Sequence, residues 1–200
     1  MKRYLLRVAG VAIMACSLLL TGCATPPSRF YVLSPLPAAA TTGQGLAIGV
    51  GPVELPDYLD HPQIVSRTSQ NELTLAEFDR WAGSLKDNFT QVLAENLATL
   101  VPSQRVAVYP WKRTTPIDYQ VVVKVIRFDR TVGGESVLNT RWSIFSGAGK
   151  QELVTRESSY TDNPAGADYP ATVAALNQTL AAFSRDVASV LKGLPRPSGG

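Results

Sequence analysis

"YQVVVKVIRFDR", residues 119–130, contains four valines and one isoleucine and is nearly continuous in apolar, β-branched side chains. Such a run is typical of a strand that is buried on both faces of a sheet. Two later segments, "VLNTRWSIFS" at 137–146 and "ELVTRESSYT" at 152–161, alternate between apolar and polar residues. The alternation predicts antiparallel strands, and "TVGGES" at 131–136 is typical of a hairpin turn.

Two further stretches predict helices, because apolar residues recur in steps of three and four along each of them. We expect the first helix to begin at Trp81 and to stop at Pro102, which cannot continue a helix. Trp81 would then lie on the apolar face of this helix, in the core. The apolar positions are Trp81, Leu85, Phe89, Val92, Leu93, Leu97 and Leu100 in the first stretch, and Val173, Leu176, Leu180, Phe183, Val187 and Val190 in the second.

Shorter patterns complete the predicted sheet. Strands are predicted at 30–33, 46–56 and 105–110, with a hairpin around residues 68–71. Gly49 and Gly51 indicate a bulge or a close backbone approach in the second of these strands. Residues 34–45, rich in proline, alanine, threonine and glycine, are predicted as a linker. The whole predicts a single α+β domain over residues 29–193, an antiparallel-rich mixed sheet with two main helices packed on it, and a flexible tail at 194–200.

The N-terminus has the features of a bacterial lipoprotein signal peptide. Three basic residues precede an apolar stretch, residues 8–20, that is too short to cross the roughly 30 Å bilayer core as a helix. The stretch ends in Leu20-Thr21-Gly22-Cys23, which resembles a lipobox. We therefore predict that residues 1–22 are removed and that Cys23 carries a covalent N-acyl chain (palmitate) and an S-diacylglycerol. The alternative is a short membrane anchor with a chance cysteine.

Removal of the signal peptide changes the thiol content and the charge of the chain. Cys16 would leave with it, so the one remaining cysteine would bear lipid and no disulfide could form. The full chain has a net charge of +3, and residues 1–22 hold three basic and no acidic residues, so the mature chain has 16 of each. A neutral domain gives no electrostatic reason to expect binding to nucleic acid.

The residues next to Cys23 predict where the domain sits. Alanine, not aspartate, follows the cysteine, and this favours sorting to the periplasmic face of the outer membrane. Residues 23–28 would form a short lipidated tether, in which each residue spans at most about 3.5 Å. The domain is therefore expected to lie close to its membrane, and several acyl chains would anchor it stably.

The sequence contains no clear catalytic or metal-binding constellation. His61 is the only histidine, so a Ser–His–Asp triad would have to use it, and it lies beside Asp57 and Asp60. One interpretation is a catalytic base or a carboxylate pair, and the other is an exposed loop in which the aspartates form turns. Because there is no Cys–His ligand pair, no metal site is predicted. We expect no cofactor other than the lipid on Cys23, and no enzymatic activity.

Three segments of the chain resemble a known family. They are "FYVL" at 30–33, "IGVGPVELPDYLDHPQIVSR" at 48–67 and "RWAGSLKDNFTQVLAENLATL" at 80–100. Together they resemble the ABC-type transport auxiliary lipoproteins, a group that includes the paraquat-inducible lipoproteins. His61 stands where this family usually has arginine, which argues against a catalytic histidine. Gly83-Ser84 replaces the glutamate and proline that usually open the helix.

The resemblance implies a role without catalysis. Such a protein would be an outer-membrane accessory subunit that works with a periplasmic MCE-domain protein of an intermembrane lipid transport system and supports envelope integrity. A homo-oligomer is compatible with this role. The loop before residue 67 would be a docking element in which Tyr58, Leu59 and Ile64 contact the partner, or these residues pack the loop on the sheet. Two other functions stay open: a lipid-binding carrier module and a lipid-tethered periplasmic hydrolase.

Overall fold

The computed structural model describes Met1 and residues 26–38, 45–101, 103–147 and 151–195. Residues 2–25, which include the rest of the predicted signal peptide and Cys23, lie outside the described residues. So do the centre of the predicted linker, Pro102 and most of the predicted tail. The strands are β1 Arg29–Tyr31, β2 Ile48–Glu54, β3 Gln63–Ser69, β4 Glu72–Trp81, β5 Val106–Val108, β6 Tyr119–Thr131, β7 Ser136–Ser146 and β8 Gln151–Asp162, and the helices are α1 Leu85–Leu100 and α2 Tyr169–Gly193.

The long strand β6 organises the sheet. One edge of β6 pairs antiparallel with β7 along its length, and β8 pairs antiparallel with β7. The other edge is shared by two parallel strands: β2 pairs with residues 119–124 and β3 pairs with residues 130 and 131. Beyond these strands, β5 pairs with β2, while β4 and then β1 extend the sheet from β3. The predicted α+β class, with a mixed sheet and two helices, is confirmed.

Burial along β6 differs from the sequence-based expectation. Val121, Val123 and Val125 are almost fully buried, as predicted for this apolar run. On the opposite face Lys124 is exposed and Ile126 is 48% exposed, so burial on both faces was wrong for the middle of the strand. The reason is that both helices pack on the same face of the sheet, and the other face carries the cross-strand series of Lys124, Arg141 and Glu157.

The layer between the helices and the sheet is filled by large side chains. Phe89 of α1 packs edge-to-face on Phe128 of β6, with ring centroids 5.4 Å apart. Phe183 of α2 packs on Trp142 of β7 at 6.0 Å in a similar geometry. All four side chains are at most 2% exposed. Edge-to-face aromatic pairs stabilise a fold by more than the area they bury would account for. These contacts therefore hold both helices on the sheet.

The first helix begins later than its periodicity suggested. The helix starts at Leu85, where the Ser84 hydroxyl accepts a hydrogen bond from the Asp87 N–H. Trp81 is the last residue of β4, and its N–H donates to the Pro62 carbonyl at 2.7 Å. The expectation that Trp81 opens the helix is therefore wrong, because a residue at a strand end can share the spacing of the helix that follows. Its burial is confirmed, since only 6% of Trp81 is exposed.

Both glycines predicted in β2 stand where the backbone is approached closely. A Cβ at Gly49 would lie 2.7 Å from the Trp111 ring, and Gly51 has a φ of +114° that favours glycine. The pairing of β2 with β6 shifts register between Val50 and Val53, which is the predicted bulge. The two glycines thus let the aromatic residues after β5 pack directly on the β2 backbone.

The short edge strand β1 is fixed by a buried carboxylate of β4. The Tyr31 hydroxyl donates to Asp79 at 2.6 Å, and Arg29 forms an ion pair with the same carboxylate at 2.8 Å. Burial raises the pKa of Asp79, but the hydrogen bonds from Arg29 and Tyr31 outweigh that effect and leave the pKa below its ordinary value. These contacts hold the N-terminal strand at the sheet edge.

We predict that Trp81→Ala lowers the free energy of unfolding by about 3–5 kcal/mol, because it leaves a large cavity under β4 and the start of α1. Urea denaturation followed by circular dichroism would measure the loss. Leu153→Ala is the control, since Leu153 is 37% exposed and should change stability by no more than about 0.5 kcal/mol. Similar losses in the two variants would show that Trp81 does not contribute as a core residue.

Candidate functional site

The loop between β2 and β3, residues 55–62, lies against the edge of β6. Both flanking strands pair with that edge, so the loop spans the part of β6 that neither strand reaches. The loop contains one turn of 3-10 helix, Asp57–Leu59, which follows Pro56. The Leu59 N–H donates to the Pro56 carbonyl at 2.9 Å, and the Asp60 N–H donates to the Asp57 carbonyl at 3.0 Å. These hydrogen bonds fix the conformation of the turn within the loop.

Burial in this loop corrects the predicted docking residues. Leu59 is 3% exposed and Ile64 is 1% exposed, and both belong to the hydrophobic core. Tyr58 is half-buried and packs against the same core. Leu59 and Ile64 are therefore too buried to offer a contact surface and fit the packing alternative, whereas a docking role for the half-buried Tyr58 stays a prediction. Because β2 and β3 pair with one edge of β6, the connecting loop must turn its apolar side chains inward to cover that edge.

Asp129 of β6 is the centre of the polar cluster under this loop. Its carboxylate is fully buried and accepts hydrogen bonds from the Tyr58 hydroxyl at 3.1 Å, Arg67 Nη2 at 3.2 Å and Arg127 Nε at 2.8 Å. Arg67 also stacks over the Tyr58 ring, 5.9 Å from its centroid. A buried carboxylate is stable only when it is paired and hydrogen-bonded, and here three donors meet that requirement.

The cluster keeps Tyr58 as a hydrogen-bond donor. Burial, with the neighbouring Asp129 carboxylate, raises the pKa of the Tyr58 hydroxyl to about 12. The protonated hydroxyl is the form that donates to Asp129. The cluster binds the loop to β6, because Tyr58, Arg67 and Arg127 all donate hydrogen bonds to Asp129.

The residues that could have formed a catalytic site are not brought together. His61, Asp57 and Asp60 are all exposed, and across the described part of the chain the His61 imidazole makes no hydrogen bond or ion pair. The two aspartates lie at either end of the 3-10 turn, consistent with their predicted role in turn formation. Within the described ranges, no group of three or more histidine, cysteine or acidic residues could hold a metal ion.

The start of the predicted linker is bound to both helices, which its composition did not indicate. Leu33 is buried, and the backbone of residues 33–36 is held by asparagine side chains projecting from α1 and α2. Each amide replaces the strand partner that this extended segment lacks. The hydrogen bonds run from Leu33 N–H to Asn88 Oδ1 at 2.6 Å, from Ser34 N–H to Asn177 Oδ1 at 3.0 Å and from Leu36 N–H to Asn96 Oδ1 at 2.7 Å, while Asn96 Nδ2 donates to Ser184 Oγ at 3.0 Å.

A groove of about 630 Å³ lies between the end of β2, the end of β5 and the first half of α1. Its walls include exposed residues such as Lys86, Gln91 and Tyr109. Tyr109 is 51% exposed and packs edge-to-face on Trp111 at 5.4 Å. This groove is a surface feature, separate from the aromatic layer under the helices. A carrier of lipid acyl chains would need an apolar cavity inside that layer, where Phe89 and Phe183 now pack.

Cys23 lies outside the described residues, so its acylation stays a prediction. Among the residues that the structure describes, no helix is long and apolar enough to cross a membrane.

The chain is similar to a protein family in sequence and to solved structures in fold. The family model described as the ABC-type transport auxiliary lipoprotein component matches residues 31–188. No curated protein matches the sequence. An uncharacterized protein of known crystal structure superposes with a TM-score of 0.69 at 22% identity, over 83% of this chain and 99% of that one. Protein XCC0632 from Xanthomonas campestris superposes with a TM-score of 0.66 at 17% identity, over 82% and 96% of the two chains.

The match to the family model covers most of the domain, and the chain belongs to the ABC-type transport auxiliary lipoprotein family. Membership agrees with the resemblance of the segments at 30–33, 48–67 and 80–100. The two superposed structures are similar to this chain in fold.

We predict that Asp129→Ala lowers the free energy of unfolding by about 3–5 kcal/mol, because Arg67 and Arg127 lose the carboxylate that pairs with them. The control is Glu157→Ala, which removes the ion pair with Arg141, where both side chains are 59% exposed. Such an exposed pair contributes about 1 kcal/mol or less to the free energy of unfolding. Chemical denaturation of both variants measures the difference. Equal losses would contradict a stabilising role for the buried cluster.

Proposed function

We propose that this protein is an outer-membrane-anchored periplasmic lipoprotein that acts as a non-catalytic accessory subunit of an MCE-type intermembrane lipid transport system and supports envelope integrity. The proposal rests on two features that occur together in this chain. A lipobox ending in Cys23 precedes a domain that belongs to the transport auxiliary lipoprotein family. The lipid would hold the domain at the membrane, and the domain would receive the partner.

The architecture supports an accessory role. Only Ala24 to Ser28 separate Cys23 from β1, so the domain stays within about 20 Å of its anchor. The packed aromatic layer and the buried Asp129 cluster make the domain a rigid body. A rigid body on a short tether suits a docking subunit, because little conformational entropy is lost when a partner binds.

The alternative functions have less support. A periplasmic hydrolase needs an activated nucleophile and a base, and His61 is exposed and unpartnered among the described residues. A lipid carrier needs space for acyl chains, and the side chains of Phe89, Phe128, Trp142 and Phe183 occupy the layer under the helices.

We predict that Cys23→Ala removes the protein from the outer membrane fraction, because the thiol that accepts diacylglycerol is lost and the signal peptide is not processed. Membrane fractionation with immunodetection measures the change. Cys16→Ala is the matched control, since Cys16 lies inside the segment that processing removes, and it should fractionate like the unchanged protein.

A Cys23→Ala variant that still fractionates with the outer membrane and keeps full function would contradict the anchor. The same outcome with Cys16→Ala mislocalised would identify Cys16 as the acceptor in its place. Mass spectrometry of the purified chain would identify the acylated residue directly.

A further inference from the structure

Three large apolar side chains are exposed at one end of the sheet. Leu73 is 37% exposed, Leu75 53% and Val132 58%. We call these three residues the apolar rim. Single exposed apolar residues are ordinary on protein surfaces, but several at one end mark a surface that contacts another apolar phase.

The strand pairing places the rim residues at the same end. Leu73 and Leu75 follow the β3–β4 turn and alternate residues in a strand share a face. Leu73 pairs across the sheet with Arg67 of β3, whose carbonyl accepts a hydrogen bond from the Val132 N–H at 2.8 Å. Val132 stands in the turn between β6 and β7. The β3–β4 and β6–β7 turns therefore lie side by side.

The direction of β1 brings the tether to this end. β1 is parallel to β4, with Arg29 opposite Asp79. The N-terminal end of β1 therefore points towards the β3–β4 turn, as the N-terminal end of β4 does. Cys23 lies six residues before Arg29, and Leu73 lies six residues before Asp79. The reach of the tether, about 20 Å, thus matches the distance from β1 to the turn.

We propose that the apolar rim rests on the lipid surface into which the acyl chains of Cys23 insert. The inference rests on the proposed anchoring at Cys23. The tether would hold this end of the sheet near the lipid surface, because that surface must lie within the reach of the tether. Apolar side chains at such a surface bury their area among headgroups and acyl chains, which orients the domain in addition to holding it.

The charges at this end indicate an apolar rather than an electrostatic contact. The nearby Arg67 is already paired with Asp129. Glu72 at the turn is exposed and accepts a hydrogen bond from Thr68. No free cation is offered by these residues to anionic headgroups. Contact should therefore be the same on zwitterionic and on anionic vesicles.

The test uses the full-length protein, acylated in cells and reconstituted into phosphatidylcholine vesicles. Its mature chain has no cysteine besides Cys23, so a single introduced thiol takes an environment-sensitive fluorophore. Leu75→Cys and Val132→Cys report on the rim. Leu153→Cys is the control, because Leu153 is also partly exposed but lies on β8, at the other edge of the sheet. Vesicles containing lipids with a nitroxide on the acyl chain quench fluorophores that reach the bilayer.

We expect a blue shift and strong quenching at positions 75 and 132, and neither at position 153, with no change when phosphatidylglycerol is added. Vesicle flotation is measured on each sample, so that anchoring is scored separately. Labelled protein that floats but is quenched equally weakly at all three positions would overturn the rim while the anchor stands. A blue shift at 75 without lipid quenching would also overturn it, because a protein surface would then cover the rim. Protein that is not acylated and does not float would overturn both proposals.

Discussion

The structure depends on one buried carboxylate, Asp129, and on the edge of β6 where it lies. β2 leaves that edge after residue 124 and β3 joins it at residue 130, so the intervening backbone has no ladder partner. The loop at 55–62 covers the gap, and its Tyr58 hydroxyl donates to Asp129 Oδ2 together with Arg67 of β3. β4 and β1 extend the sheet from β3. The positions of these three strands therefore depend on the junction of the loop with β6.

Local patterns predicted much of the fold. The strand at 119–130, the two alternating strands after it and the second helix lie where their patterns indicated, and the first helix differs only in its start. The pattern could not show that two strands share one edge of β6, since pairing between distant segments leaves no trace in spacing. The loop was therefore interpreted as a docking element from its large apolar residues, although Leu59 and Ile64 fill the core. Asp129, the one acidic residue in the run at 119–130, was the local sign of a buried polar cluster.

The misjudged linker and helix start have related causes. Residues 34–38 have the composition of a flexible segment, yet their first backbone N–H groups find asparagine partners on two helices that only tertiary structure brings together. Trp81 fits the helical spacing although it is the last residue of β4. Only the cap at Ser84 shows that the helix begins later, at Leu85. Buried asparagines on an apolar helix face, such as Asn96, are the signal that could have revealed the bound segment. The segment from β1 to residue 36 is thus held by hydrogen bonds to β4 and to both helices.

We propose that this member of the family, anchored by the lipid on Cys23, works by receiving a partner protein. Crosslinking in living cells followed by purification of the acylated protein tests that claim most directly, with Cys23→Ala cells treated in parallel. The account predicts capture of a periplasmic MCE-domain protein with acylated chain and its loss with the variant. Capture of copies of this chain alone, or of no component of a transporter, from cells in which the protein is acylated and abundant would contradict it.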